Sequence, residues 1–196
     1  MAWKMQHLGM ARGALCSLFG AMLLSGISIA VAALQEEKSP ETGFSSETID
    51  VGLCVSNMQA SIDFYTKAIG FQELPGFSVP ADYAREVGLS DGQVLDVKVL
   101  TLGTGPTATR LKLIQFPKAP GARSDQSYIQ STYGIRYLTI HVKDVNASLE
   151  KLKQHKVKPI ASSPKLLPAG FPEGVGLCNL RDPDGNLVEL VGPYRP

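Results

Sequence analysis

Residues Asp50-Val-Gly-Leu-Cys-Val-Ser-Asn57 are matched 87 positions later by Tyr137-Leu-Thr-Ile-His-Val-Lys-Asp144. Both segments alternate apolar side chains with other residue types, which is the pattern of a half-buried strand. Both end on a residue that suits a helix N-cap, and a helical pattern follows each of them. We expect the first helix to end at about Ile69, before Gly70, and the second to end near His155. The chain therefore contains two copies of a strand–helix unit.

Further strand candidates follow each of the two helices. They are short apolar runs, separated by residues that favour turns, such as Asp182-Pro-Asp-Gly185. The order of elements is βαβββ written twice, which predicts an α+β fold. The candidates after the first helix are Phe71–Leu74, Val94–Leu102 and Arg110–Phe116, with a short helix at Ala81–Val87, and those after the second are Val157–Ala161, Gly176–Leu180 and Asn186–Val191.

The first residues of the chain have the features of a secretory signal peptide. Residues 1–33 carry Lys4 and Arg12 but no acidic residue, and an uncharged apolar run ends in small residues such as Ala30-Val-Ala32. We therefore predict a secreted or periplasmic protein. The alternative is an N-terminal membrane anchor that is not cleaved, because the apolar run just reaches the length that spans a bilayer. Residues 34–47 are polar and predict a flexible linker.

Charge and cysteine content exclude several classes of protein. The formal net charge is +1, and outside residues 1–33 there are 17 basic and 18 acidic residues. Such a chain offers no basic surface to nucleic acid. It also lacks the nucleotide-binding and serine hydrolase motifs. Cys54 and Cys178 are too few for a disulfide scaffold, and we predict that they are not bridged.

The doubled βαβββ plan, Phe64-Tyr65 with Gly70-Phe71, and above all Arg181-Asp-Pro-Asp-Gly-Asn-Leu-Val-Glu-Leu190 resemble the vicinal oxygen chelate superfamily. This superfamily includes glyoxalase I, extradiol dioxygenases and bleomycin-resistance proteins. The resemblance implies one domain at residues 48–193, with module 1 at 48–117 and module 2 at 134–193. It also implies a cavity between the modules, and a homodimer as a further expectation.

In glyoxalase-like members, four side chains on the first and last strands of the modules bind a divalent metal. Carried onto this sequence, these positions are Asp50, Lys112, Tyr137 and Glu189, of which only Glu189 matches the usual ligands. A charged lysine cannot coordinate a cation, and a protonated tyrosine is a poor ligand. We therefore hypothesise that the four side chains form a self-neutralised cluster without a metal or other cofactor. The alternative is a divalent metal held by Asp50 and Glu189.

Three functions compete for this fold. The leading expectation is a metal-free protein that binds a small organic ligand between the modules, as bleomycin-resistance relatives do. The second is a lyase, isomerase or dioxygenase that either retains a divalent metal with an atypical ligand set or uses protein acids and bases. Its catalytic residues would be Glu189, Tyr137 and Lys112, and the sequence leaves open whether the protein is an enzyme. The third is a module kept for protein–protein contacts. The candidate ligand-binding residues are Asp50, Cys54, Arg110, Thr139, His141 and Phe171.

Overall fold

The computed structural model describes residues 43–46 and 48–196. The predicted signal peptide and most of the predicted linker lie outside the described residues, so both stay predictions. Within the described ranges, we find no helix with the length and apolar character needed to cross a membrane.

The first module forms a four-stranded sheet with the strand order β1-β4-β3-β2. Strands β1 and β4 are parallel, and the other pairs are antiparallel. The first helix, α1, continues directly as a π-helix. The elements are β1 (Asp50–Cys54), α1 (Met58–Asp63), the π-helix (Phe64–Ile69), β2 (Gln72–Val79), α2 (Ala81–Glu86), β3 (Leu95–Leu102) and β4 (Thr109–Ile114).

The second module repeats this topology with the strand order β5-β8-β7-β6. Again the first and last strands are parallel neighbours, while the remaining pairs are antiparallel. The predicted α+β fold of two βαβββ units is confirmed. A 3-10 turn (Ile129–Ser131) precedes the module, which consists of β5 (Tyr137–His141), α3 (Val145–Gln154), β6 (Lys165–Leu166), β7 (Val175–Arg181) and β8 (Leu187–Pro193).

The helix boundaries follow from the capping residues. The side chain of Asn57 accepts a hydrogen bond from the backbone N–H of Ala60 at 3.0 Å, and Asp144 accepts one from the N–H of Asn146 at 2.7 Å. Both bonds satisfy donors that the first turn of a helix leaves free. Gly70 follows the π-helix with φ of 121°, a conformation that favours glycine. Both predicted N-caps and the predicted glycine stop are confirmed.

The two modules share one hydrophobic core on the helix side of their sheets. Alternate residues of β1, β4, β5, β7 and β8 point into it, together with the aromatic residues of the π-helix. Residues at the intervening strand positions lie on the opposite side, which we call the open face of each sheet. In the first sheet, α2 covers part of this face, where Ala84 packs with Leu95, Val97 and Val99 in a second, smaller apolar cluster. The fully or nearly fully buried core residues include Tyr65, Leu100, Leu113, Leu152, Cys178, Leu180, Val188 and Leu190.

One predicted strand is wrong. Residues 157–161 form no strand, and the second module instead has only the two-residue β6 at Lys165–Leu166. Lys156 and Ala161 have positive φ values of 59° and 52°, so the backbone turns at both ends of the apolar run. Pro159 also lacks the N–H that a strand ladder needs.

Both cysteines are free, as predicted. Cys178 lies in the core, and Cys54 is exposed at the end of β1. Neither side chain therefore cross-links the described part of the chain.

Candidate functional site

On the open face of the first sheet, a lysine and an aspartate form an ion pair. Lys112 on β4 places its Nζ atom 2.8 Å from Oδ2 of Asp50 on β1. Their flanking residues Val51, Leu111 and Leu113 pack in the core, so strand alternation directs both charged side chains to the other face. Each side chain of the pair remains about one third exposed, at 33% and 32%. The pair is therefore accessible to a ligand.

Two further side chains surround this ion pair. Arg110 is the direct cross-strand partner of Asp50, and it is exposed. The ring centroid of Phe77 lies 6.0 Å from Nζ of Lys112, at the limit of a cation–π contact. The open face of the first sheet thus carries two basic groups and one carboxylate, with an aromatic ring beside them.

On the open face of the second sheet, polar side chains lie side by side on three adjacent strands. Thr139 on β5 and Asn179 on β7 are the two cross-strand partners of Glu189 on β8. The hydroxyl of Thr139 donates to Oε2 of Glu189 at 2.9 Å. The amide oxygen of Asn179 is buried and has no hydrogen-bond partner in the described part of the protein. Tyr137 precedes Thr139 on the same face, and 47% of it is exposed.

The hypothesised four-residue cluster therefore appears only in part. The structure brings Asp50 and Lys112 together, and it pairs Glu189 with Thr139 rather than with lysine. Among residues 43–46 and 48–196, neither Lys112 nor any other basic side chain lies within 4.0 Å of the Glu189 carboxylate. The Tyr137 hydroxyl likewise makes no hydrogen bond to a carboxylate within these ranges.

The donor groups at the four expected metal positions do not suit a divalent metal. The Asp50 carboxylate is already paired with the ammonium group of Lys112, and this ammonium group has no lone pair with which to bind a metal. Within the described ranges, no three His, Cys, Asp or Glu side chains come together as a group that could hold a metal ion. The cross-strand neighbours of Glu189 are Thr139 and Asn179, and neither is a His, Cys, Asp or Glu side chain of the kind that holds Zn²⁺.

A cleft of about 450 Å³ opens where β1 and β4 end. It lies against the β7–β8 turn, so it is bordered by both modules. Of the predicted ligand-binding residues only Cys54 lines it, whereas Thr139, His141 and Phe171 are exposed outside it. The other polar side chains that line the cleft are Ser56, Gln115, Arg123, Ser124, Gln126, Asp184 and Asn186.

A buried contact between the modules was not predicted from the sequence. The hydroxyl of Tyr65, on the π-helix of the first module, donates to Oδ2 of Asp182 in the β7–β8 turn at 2.9 Å. Burial, with the facing Asp182 carboxylate, raises the pKa of Tyr65 well above its ordinary value. The sequence Asp182-Pro-Asp-Gly185 predicts a turn. It does not indicate which distant side chain the Asp182 carboxylate contacts.

Comparisons with known proteins agree with this architecture. The family model described as "Glyoxalase/Bleomycin resistance protein/Dioxygenase superfamily" matches residues 49–190. A search of curated proteins gives no match.

Solved structures provide the second comparison. A glyoxalase family protein from Bacillus cereus is 18% identical with a TM-score of 0.60, and the alignment covers 79% of this chain and 99% of that one. A mutant of glyoxalase I from Zea mays is 19% identical with a TM-score of 0.55, covering 74% of this chain and 46% of that one. At these identities the likeness shows the fold.

Proposed function

The chain belongs to the glyoxalase/bleomycin resistance protein/dioxygenase superfamily, and we propose that it is a secreted member that binds a small organic ligand without the metal used by glyoxalase-like relatives. The ligand lies on the open faces of the two sheets. The observation that carries this proposal is the ion pair between Lys112 and Asp50, at 2.8 Å.

The ion pair supports a metal-free site for an electrostatic reason. A divalent cation beside Asp50 would share that carboxylate with the ammonium group of Lys112 and would be repelled by it. A lysine ammonium group has no lone pair, so Lys112 cannot act as a ligand in place of the usual side chain. The neutralised carboxylate is therefore suited to orienting the lysine rather than to holding a metal.

The same groups can recognise an organic molecule. An ammonium group has three donors, and the Asp50 carboxylate takes only part of this capacity. The remaining donors of Lys112 and the nearby Arg110 can bind an acceptor oxygen of a ligand, while the Phe77 ring offers apolar contact. On the second sheet, Thr139 and Glu189 add a hydroxyl and a carboxylate.

A second candidate function is supported by the surroundings of Glu189. Because its carboxylate contacts no basic side chain in the described ranges, it keeps the freedom to accept a proton from a substrate. The protein would then be a lyase or isomerase, with Tyr137 or Lys112 stabilising a developing oxyanion. Turnover of a bound compound that stops in Glu189→Gln would favour this candidate over simple binding.

The proposal is tested by a compound screen run with and without metal. Thermal stabilisation of the purified protein is measured for each compound in EDTA and again with added Zn²⁺, Ni²⁺ or Mn²⁺. We expect the stabilising compounds to act equally well in EDTA and to lose their effect in Lys112→Met. The matched control is Lys153→Met, which removes an exposed lysine on α3, the helix that packs on the core side of the second sheet. Stabilisation that requires added metal would contradict the proposal.

A further inference from the structure

We propose that the ligand of this site carries a positively charged nitrogen, an organic ammonium group, which is bound by Glu189. This inference rests on the proposed function. It adds the chemical class of the ligand group that contacts the second sheet.

The first observation is a difference between the two carboxylates of the open faces. Asp50 is neutralised by Lys112 at 2.8 Å. Glu189 receives one neutral hydrogen bond, from Thr139, and has no basic side chain within 4.0 Å among residues 43–46 and 48–196. Its negative charge is therefore available to an outside group.

The second observation is that the cross-strand neighbours of Glu189 carry no positive charge and that one of them has an acceptor without a donor. Asn179 lies directly across from Glu189, and its buried amide oxygen lacks a donor in the described part of the chain. Leaving a buried acceptor without a donor costs free energy, so this amide oxygen is a polar group next to Glu189 that a donor would stabilise.

The third observation is the aromatic ring next to this acceptor pair. Tyr137 lies two residues before Thr139 on the same face of β5, and 47% of it is exposed. Its electron-rich ring attracts a cation within about 6 Å of the centroid. A carboxylate, an amide oxygen and an exposed ring together match an alkylammonium group, which combines charge, several donors and an apolar body.

Other ligand groups fit this place less well. A carboxylate or phosphate would be repelled by Glu189, and a neutral hydroxyl would leave the charge of Glu189 without a partner. The basic groups Arg110 and Lys112 belong to the first sheet, where Lys112 already contacts Asp50. The open face of the second sheet is thus selective for cations.

The test compares three probes that share a butyl chain and differ in charge: n-butylammonium, 1-butanol and pentanoate. Each is titrated into isotope-labelled protein, and backbone NMR shifts on β5, β7 and β8 are followed. We expect saturable shifts with n-butylammonium, and binding of the other two probes that is weaker by about tenfold or more, equal to about 1.4 kcal/mol. Glu189→Gln should weaken n-butylammonium binding by a similar factor. The control Glu150→Gln removes an exposed carboxylate on α3 and should leave it unchanged.

The outcomes separate this inference from the proposed function. Equal binding of all three probes, or unchanged n-butylammonium affinity in Glu189→Gln, would overturn the inference while leaving a metal-free organic site in place. If none of the three probes binds and the compound screen finds no stabilising compound, both the inference and the proposed function are overturned. Preferential saturation by Mn²⁺ at Glu189 would overturn the inference in favour of a metal site.

Discussion

Asp182 is a buried carboxylate held by donors from both modules. It accepts the Tyr65 hydroxyl at 2.9 Å, the backbone N–H of Asp184 at 2.9 Å, and the backbone and side-chain N–H groups of Asn186. These hydrogen bonds offset the free-energy cost of burying the carboxylate. Asp182 can therefore join the π-helix of the first module to the β7–β8 turn of the second. This contact places the turn beside the cleft that Cys54 lines.

Removing the Tyr65 hydroxyl tests the strength of this contact. We expect Tyr65→Phe to lower the free energy of unfolding by about 2 kcal/mol, because it deletes a buried hydrogen bond to a charged group. Urea unfolding followed by circular dichroism measures the change. The matched control is Tyr83→Phe, whose ring is 55% exposed and whose substitution should change stability by less than about 0.5 kcal/mol. Equal effects of the two variants would contradict the assignment.

The same contact predicts how stability responds to alkaline pH. Burial, with the facing Asp182 carboxylate, raises the pKa of Tyr65 above its model-peptide value of 10.0. The unfolded chain therefore loses this proton first, so the contribution of Tyr65 is complete below pH 10 and declines as the pH rises further. Above pH 10, the stability advantage of the native protein over Tyr65→Phe should shrink by about 1.4 kcal/mol per pH unit. Urea unfolding at several pH values measures it, and a constant difference up to pH 11 would contradict the pKa direction.

For single site residues, the sequence predicted which face of a sheet a side chain occupies better than it predicted the distances between side chains. Strand alternation correctly placed Asp50 and Lys112 on one side of their sheet, because both positions alternate with core residues such as Leu111. It did not predict that Glu189 pairs with Thr139, since that depends on which strand lies next to β8. Periodicity carries no information about such spacing.

At the level of secondary-structure elements, β8 approaches the end of β5 closely at a glycine. Gly192 on β8 lies against the backbone carbonyl of Val142, and a Cβ atom there would overlap the carbonyl oxygen. The N–H of Val142 also donates to the carbonyl of Val191 at 2.8 Å, which fixes the end of β5 against β8. Glycine is required here for space, not for an unusual φ.

Adding one methyl group at this position should disturb the strand pair. We expect Gly192→Ala to destabilise the protein by about 1–3 kcal/mol, because the backbone that it meets cannot move without breaking the β5–β8 contact. The matched control, Gly121→Ala, adds the same group where nothing lies within 4 Å. Thermal or urea unfolding compares the two variants, and similar stabilities would show that the close approach is not rigid.

The elements themselves were largely predictable from the sequence. Alternation located the strands, and Asn57, Gly70 and Asp144 fixed helix ends through local hydrogen bonding and backbone geometry. The failure at residues 157–161 has a local cause, since Lys156 adopts positive φ although it is not glycine. A run of apolar residues alone cannot distinguish a strand from an extended loop that packs on the core.

For the whole molecule, the repeat gives two similar modules with different charges on their open faces. The first carries Asp50 neutralised by Lys112, and the second carries Glu189 without a basic partner in the described ranges. The two modules thus share one topology while their open faces differ in charge, which is why function cannot be derived from fold alone.

The most direct test is the metal content of protein purified without chelator, measured by elemental mass spectrometry after dialysis against Zn²⁺, Ni²⁺, Mn²⁺ or Fe²⁺. The account predicts far less than stoichiometric metal in the native protein, and an increase in Lys112→Glu, which replaces the ammonium with a carboxylate beside Asp50. Stoichiometric metal in the native protein, lost in Glu189→Gln, would contradict it.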